Sequence, residues 1–213
     1  MLSALLLSVT QLHSQNVELG VRLMPVFSSL DFKSADGGAI KGETTVGFGF
    51  GGFLGVNLSK HVGIQAEVNY NALSQKYKEP SASREITIRY LNIPVLLSLN
   101  TNKTNMVNLN VVAGPQFGVN QGSKINSTSE NGVTTAQGVL SVKKNDLGLA
   151  YGAGIDFALA KTKLIRLGLG FRGVLGLVDI SDNSETLVTG SYYILDRSHV
   201  NTYSGYIGLS LLL

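Results

Sequence analysis

The closest approach to a known binding motif in this sequence lies at its first cluster of glycines. Gly47, Gly49 and Gly52 have the G-x-G-x-x-G spacing of a dinucleotide-binding loop. That loop holds a pyrophosphate only where a strand leads into the glycines and a helix follows them. Here large apolar residues instead continue at every second position as far as Leu58, which is the period of a β-strand. We therefore predict a strand with one apolar face and one glycine-rich face rather than a nucleotide site.

Residues for hydrolytic or metal chemistry are few and far apart. The sequence has no cysteine and three histidines, His13, His61 and His199. His61 is expected on a short turn and His199 near the opposite rim, so a Ser/His/Asp arrangement is not expected to assemble. One loop could bind calcium, but its spacing is not that of an EF-hand and a solvated loop is the simpler interpretation; it contains Asp179, Asp182 and Glu185. We predict a protein that is not an enzyme and holds no metal or cofactor.

The charge of the chain excludes one class of partner. There are 17 Lys and Arg residues against 14 Asp and Glu, and the basic residues are scattered. A nucleic-acid interface would need a basic stripe with stacking aromatic residues, so no nucleic-acid partner is predicted. Charged residues make up 15% of the chain, below the roughly 25% of ordinary soluble domains. The chain is therefore poor in the residues of a typical solvent-exposed surface.

Residues 1–15 differ from the rest of the chain. Leu2 to Val9 form a short apolar run, followed by small and polar residues. The run is too short for a membrane-spanning helix and is typical of the core of a secretory signal peptide. A buried first strand or helix is the alternative, since no Lys or Arg precedes the run. We predict a signal peptide over residues 1–15 and a single domain over residues 16–213.

From residue 16 onward, apolar and polar residues alternate in recurring segments. Each is about ten to fifteen residues long, which suits a tilted strand that crosses a membrane. About eight segments occur, an even number as in bacterial barrels, and they begin near Val17, Val46, Val62, Ile86, Val107, Leu147, Ile165 and Tyr203. The sequence predicts an all-β fold, an antiparallel up-and-down transmembrane β-barrel of about eight strands.

The connections between these segments alternate in length. Short ones are expected at 59–61, 100–105 and 160–163, and long polar ones at 34–43, 75–84, 120–145 and 179–199. In outer-membrane barrels the short turns face the periplasm and the long loops face outward, so we predict the outer membrane of a Gram-negative type of cell. Basic residues of the long loops could contact lipopolysaccharide or only keep the loops soluble; they are Lys76, Lys78, Arg84, Lys124, Lys143 and Lys144.

The bulky apolar face of the strands is predicted to contact lipid, and the glycine-rich polar face to line a narrow lumen. Aromatic residues of the apolar face lie toward the long-loop end of different strands, as in the aromatic girdle at a membrane interface. The predicted girdle comprises Phe27, Phe48, Tyr70, Tyr90, Phe117, Tyr151 and Tyr203. Inward glycines are predicted to leave room for larger side chains across the lumen.

Charged residues on the polar face must share that lumen. The interior of an eight-stranded barrel is filled by side chains, and an unpaired charge there costs several kcal/mol. The residues expected inside are Glu18, Arg22, Gln65, Glu67, Asn69, Arg89, Asp156, Arg166 and Arg172. The expected partners of Glu67 and Asp156 are Arg22, Arg166 or Arg172. We predict a network that plugs the barrel, with a proton or solute relay as the alternative.

The fourth segment changes its alternation partway. Ile86, Ile88 and Tyr90 are apolar at even positions, whereas the apolar residues from Leu91 to Leu99 stand mainly at odd ones. A β-bulge near Tyr90 and Leu91 would bring both halves onto one face. It would also tolerate Pro94, which has no backbone N–H.

Part of this segment resembles a known family. Tyr90 to Leu97, with the letters YLNIPVLL, resembles a strand of the PorT-like outer-membrane β-barrel family of Bacteroidota. The resemblance continues in Ala113-Gly114-Pro115, in Asp146-Leu147-Gly148 with Gly152-Ala153-Gly154, and in Arg172 with Gly176 to Ile180. It covers nearly all of residues 16–213. It implies an outer-membrane barrel with no shared catalytic activity.

Three functions follow as hypotheses. The first is a small non-catalytic outer-membrane barrel with a structural or interaction role, whose long loops meet lipopolysaccharide or a protein partner. The second, suggested by the family name, is a component of a protein secretion apparatus. The third is a soluble ligand-binding barrel of the lipocalin type, in which the bulky face would line a cavity.

Overall fold

The computed structural model describes residues 17–29, 32–33, 39–40, 43–79, 82–129, 134–136, 143–159, 161, 163–178 and 201–213. The predicted signal peptide, the acidic segment from Asp179 to Glu185, His13 and His199 lie outside these residues. Within the described residues, no helix is long and apolar enough to cross a membrane.

The described chain forms eight long strands and four short ones. They are β1 (Val17–Ser29), β2 (Phe32–Lys33), β3 (Ala39–Ile40), β4 (Glu43–Thr44), β5 (Val46–Asn57), β6 (Val62–Glu79), β7 (Ala82–Asn100), β8 (Val107–Ser129), β9 (Thr134–Ala136), β10 (Asn145–Ala158), β11 (Ile165–Gly176) and β12 (Asn201–Leu212).

The long strands close into a barrel. Each pairs antiparallel with the next long strand along the chain, in the order β1, β5, β6, β7, β8, β10, β11 and β12. The ring is completed by β12, which pairs with β1 from Leu212 opposite Glu18 to Asn201 opposite Ser29. The predicted all-β, eight-stranded, antiparallel up-and-down barrel is confirmed.

The two faces of the wall differ as the alternation predicts. On β5, Phe48, Phe50 and Leu54 are 54%, 50% and 46% exposed, while the side chains between them are buried or half-buried. Large apolar residues are exposed on the other long strands too, among them Leu23, Val68 and Leu109. The lipocalin-type alternative is wrong, because it requires this bulky face to line the interior.

Inward glycines give space to neighbouring polar side chains. A Cβ atom built at Gly49 would collide with the amide oxygen of Asn71, and one at Gly51 with that of Asn69. Gly49, one of the three glycines with the nucleotide-loop spacing, and its neighbour Gly51 therefore lie within β5 and make room for two asparagines in the lumen.

Two of the segments predicted as loops are partly continuations of the long strands. The segment 75–84 lies almost wholly in the hairpin of β6 and β7, with Gln75 opposite Ile86 and Glu79 opposite Ala82. Similarly, β8 continues through residue 120 to Ser129. A strand that has left the membrane has water on both faces and needs no apolar alternation. The apolar alternation therefore marks only part of each of these long strands.

The bulge predicted in the fourth segment, which is β7, lies in the neighbouring strand β8. The register between β7 and β8 shifts between Arg89 and Tyr90, which lie opposite Gly122 and Asn120, so that Gln121 is the additional residue. Gly122 has a φ of +128°, which glycine adopts readily. The bulge is therefore where it was predicted, but on β8.

Because β7 itself stays regular, its even positions from Ile88 to Asn100 point inward. Ile88 and Tyr90 are 0% and 1% exposed. The placement of Tyr90 in the lipid-facing girdle is therefore wrong. Arg89, which alternates with them and is half-buried, lies on the opposite face from the lumen where it was predicted.

Candidate functional site

The centre of the lumen is organised around Glu67, in the middle of β6. Gln65, Glu67 and Asn69 point to the same side because strand side chains alternate with a period of two. Gln65 donates from Nε2 to Glu67 Oε1 at 2.5 Å, and Asn69 donates from Nδ2 to Oε2 at 2.8 Å. The carboxylate, 2% exposed, is thus held between the side chains two positions before and after it.

Two arginines from distant strands complete this central cluster. Arg22 Nη1 of β1 and Arg172 Nη2 of β11 each lie 2.7 Å from Glu67 Oε1. A buried carboxylate without such partners would be costly, since removing one member of a buried pair typically costs about 3–5 kcal/mol. The predicted pairing of Glu67 with Arg22 and Arg172 is confirmed.

Arg22 is also enclosed by aromatic rings. Its guanidinium carbon lies 4.2 Å from the ring centroid of Phe53 and 4.6 Å from that of Tyr206, within the range of a cation–π interaction. The ring of Phe53 occupies the space that a Cβ atom at Gly20 would need. The sequence reasoning missed both rings, although Phe53 is the one large apolar residue on the glycine-rich face of β5.

A second cluster lies at the short-turn end and depends on Lys103. This residue belongs to the turn between β7 and β8, yet its side chain is buried. Lys103 Nζ lies 2.8 Å from Glu18 Oε2 and 3.2 Å from Asp156 Oδ2. Burial by itself lowers the pKa of Lys103, but the carboxylates of Glu18 and Asp156 outweigh it and raise the pKa above the usual value.

Asparagines complete this turn cluster. Asp156 Oδ2 accepts hydrogen bonds from Nδ2 of Asn108 and of Asn110, both at 3.0 Å. Asn108 also accepts from the backbone N–H of Asn102 at 3.1 Å and donates to Asn100 Oδ1 at 3.0 Å. The turn itself is thereby hydrogen-bonded to the interior of the barrel.

The predicted partner of Asp156 is wrong. Asp156 pairs with Lys103, whereas Arg166 donates to backbone carbonyls, from Nη1 to Asn105 at 3.0 Å and from Nη2 to Asp156 at 3.3 Å. The physical reason is the turn, which was expected only as a short connection but folds a cation into the lumen. Strand alternation carries no information on the direction of a turn side chain.

Eight of the nine residues predicted inside the barrel lie there, and Arg89 is the exception. They fall into the two clusters, with Arg22, Gln65, Glu67, Asn69 and Arg172 in the central cluster and Glu18, Asp156 and Arg166 in the turn cluster. Lys103, Asn108 and Asn110 are the partners that the sequence reasoning did not find.

The aromatic residues of the outer wall form two groups. Phe50 lies 6.4 Å from Phe48 and 5.5 Å from Tyr70 between ring centroids. Phe171 lies 6.4 Å from Tyr151 and 6.2 Å from Tyr203. Phe27 and Phe117 are exposed on the same face. Phe50 contacts both other rings of the first group and Phe171 both other rings of the second, and neither belongs to the predicted girdle. That these outer rings lie at a lipid interface remains a prediction.

The described residues offer little for catalysis or metal binding. Among them, no group of three His, Cys, Asp or Glu side chains could hold a metal ion. His61 Nδ1 lies 3.2 Å from the backbone oxygen of Asn100, which ties the ring to the neighbouring turn. The chemistry of the lumen is therefore that of paired charges.

The chain is similar to a known protein family and to solved structures. The family model described as outer membrane protein beta-barrel domain matches residues 11–182. No curated protein matches the chain. Among solved structures, OprG from Pseudomonas aeruginosa is similar, with a TM-score of 0.55 and 12% identity over 93% of this chain and 96% of that chain. Neisserial surface protein A has a TM-score of 0.50 and 13% identity, over 93% and 97% of the two chains. At such identities the likeness concerns the fold alone.

Proposed function

Since the chain belongs to the outer membrane protein beta-barrel family, and is thus a protein of the outer membrane, we propose that it is a non-catalytic barrel with a closed lumen. Its role is structural, or consists of contacts made by its long loops. The observation that carries this proposal is the network of charges that fills the barrel from the central cluster to the turn cluster.

The width of the barrel supports a closed lumen. Eight strands enclose an interior that side chains just fill. Here Arg172 of β11 meets Glu67 of β6 from across the barrel, Arg22 of β1 joins them, and Lys103 joins Glu18 to Asp156 at the short-turn end. A solute would have to separate ion pairs at two levels to pass.

The charges of the lumen are balanced, which favours a plug over a relay. Among the described residues, four acidic and four basic side chains are buried there: Glu18, Glu67, Asp146 and Asp156, and Arg22, Lys103, Arg166 and Arg172. A proton or solute relay would need groups free to change partner or charge. Glu67 instead accepts four hydrogen bonds from four side chains.

Conductance in planar lipid bilayers tests this function. Wild-type protein and Glu67→Gln should both leave the bilayer closed, because the remaining side chains still fill the lumen, while Glu67→Gln lowers the unfolding midpoint. Lys144→Gln, which removes an exposed charge near the long loops, serves as the control. Steady channels in the wild type, or a conductance rise in Glu67→Gln alone, would contradict the plug.

The long loops are the proposed site of contact with lipopolysaccharide or with a protein. Of their basic residues, Lys143 and Lys144 are exposed beside the start of β10. Binding of purified lipopolysaccharide to wild type and to a Lys143→Gln/Lys144→Gln variant would test the first partner. Equal binding would leave these lysines as solubilising residues.

A narrower assignment rests on the resemblance of Tyr90 to Leu97 to the PorT-like proteins of Bacteroidota. It supports a second proposed function, a component of a protein secretion apparatus. Deletion of the gene should then abolish secretion of cargo proteins while the outer membrane stays intact. Normal secretion in the deletion strain would remove this function.

A further inference from the structure

The outer wall carries a depression at two small residues. Gly52 of β5 and Ala66 of β6 interrupt rows of large side chains, and Leu19, Val21, Leu54 and Val68 surround them. The depression is part of a broad, shallow apolar surface of about 790 Å³, which extends to Ile93 on β7 and to Ile165 and Leu209 on β11 and β12.

The depression is open space rather than a place already filled by a neighbour. A Cβ atom at Gly52 would meet only the backbone oxygen of Gly20, at 3.5 Å, an ordinary contact. At the inward Gly49 of the same strand, the amide of Asn71 takes the corresponding space. An outside molecule is therefore free to occupy the part of the depression at Gly52 and Ala66, which we call the notch.

The rim below this notch is positively charged. Lys60 stands in the turn between β5 and β6, the two strands that carry Gly52 and Ala66. The segments 58–61, 100–106 and 158–164 contain no Asp or Glu.

The same rim is rigid and keeps its negative charges inside. Lys103 N donates to Lys60 O at 3.2 Å and Ala158 N to Met106 O at 2.8 Å, so the three turns are joined. The nearby carboxylates, those of Glu18 and Asp156, are buried and held by Lys103. Lys60 is exposed, so the charge directed outward beside the notch is positive.

The distance from the rim to the notch fits one leaflet of a bilayer. Ala66 follows His61 by five positions on β6, or about 13 Å along the membrane normal for a strand that rises about 3.3 Å per residue at a tilt of about 40°. The hydrocarbon of one leaflet is about 15 Å thick. A lipid with its phosphate at Lys60 therefore has acyl chains long enough to reach Ala66.

We propose that this face binds one anionic glycerophospholipid, with the phosphate at Lys60 and an acyl chain over Gly52 and Ala66. The apolar notch accounts for the chain and the acid-free rim for the anionic headgroup. The site depends on the membrane location of the barrel and is independent of whether the lumen conducts.

Native mass spectrometry of barrels released from nanodiscs tests the site. In a mixture of phosphatidylglycerol and phosphatidylcholine, wild type should retain one phosphatidylglycerol molecule. Lys60→Gln should lower this retention about fivefold, as expected for one lysine near an anionic lipid. Lys144→Gln, which removes the same charge at the other end of the barrel, should leave it unchanged.

A second pair of variants tests the notch. Gly52→Leu fills the depression and should abolish retention, whereas Ala153→Leu adds the same bulk to an exposed position on β10 and should not. Equal loss in Lys60→Gln and Lys144→Gln, or retention of phosphatidylcholine and phosphatidylglycerol in equal amounts, would overturn the proposal. So would the mass of a dimer without lipid, which would assign the depression to a second copy of the chain.

Discussion

Along β5, Phe48 and Phe50 lie on the outer wall with half of their surface exposed, whereas Gly49 and Phe53 of the same strand are buried in the lumen. On the outer wall each side chain meets lipid and needs only to be apolar. In the lumen each polar side chain needs specific partners, as Glu67 needs Arg22 and Arg172. The outer wall therefore tolerates the exchange of one apolar residue for another, whereas the interior depends on the identity and position of each polar residue.

The largest effect is expected from the central cluster. Glu67→Gln keeps the shape of the side chain but leaves Arg22 and Arg172 without a counter-charge. Breaking a buried ion pair costs about 3–5 kcal/mol. Urea unfolding followed by gel mobility should show this loss, and Lys144→Gln should show none. An unchanged midpoint in Glu67→Gln would mean that water, rather than Glu67, stabilises the charges of Arg22 and Arg172.

The outer wall should respond to charge according to depth. Leu54→Arg places a cation within the wall and should cost up to about 2–4 kcal/mol, the value for the bilayer midplane. Leu58→Arg, at the short-turn rim on the same face, should cost about 0–1 kcal/mol. Equal stability of the two variants would show that this face does not contact hydrocarbon.

Lys103 should give a moderate loss with its own pH dependence. Lys103→Met removes the cation between Glu18 and Asp156, while Asn108 and Asn110 still bind Asp156, so we expect about 1–3 kcal/mol. The pKa of Lys103 is raised above 10.5 in the folded protein. Its contribution is thus fully present below about pH 10.5 and is lost as the pH rises through the folded-state pKa.

Unfolding midpoints measured from pH 7 upward should therefore bring the wild type toward the variant only in strongly alkaline solution. A difference between the two proteins that shrinks already near neutral pH would exclude Lys103 as the charge that holds the turn.

The smallest effect is expected at the bulge. Gly122→Ala puts a Cβ atom at a φ of +128°, with no other atom within 4 Å of it, so only backbone strain of about 1–2 kcal/mol is expected. Gly52→Ala, where space is also open, should be nearly neutral. Equal midpoints for both alanine variants would show that β8 shifts its register without cost.

The outer wall could be predicted from the sequence because lipid contact depends on one property at every second position. Strand count, closure and the inward position of Glu67 followed from the same alternation. Arg22 and Arg172 could be proposed as partners because charges in a narrow lumen must pair.

The turn and the bulge could not be predicted in the same way. Lys103 enters the lumen through the conformation of a turn, which alternation does not describe. Tyr90 was placed outside because its apolar ring suggested lipid, while its position on the unbroken even face of β7 puts it inside. The direction of the Lys103 side chain depends on its turn. The direction of Tyr90 depends on which strand carries the extra residue of the bulge, and this strand is β8 rather than β7.

The central claim is that the bulky face meets lipid around a closed polar interior. Fractionation of cells, with gel mobility of unboiled and boiled samples, tests it directly. The account predicts recovery in the outer membrane and a mobility that changes on boiling, as for a barrel that resists detergent until heated. Recovery as soluble periplasmic protein with no change on boiling would contradict it.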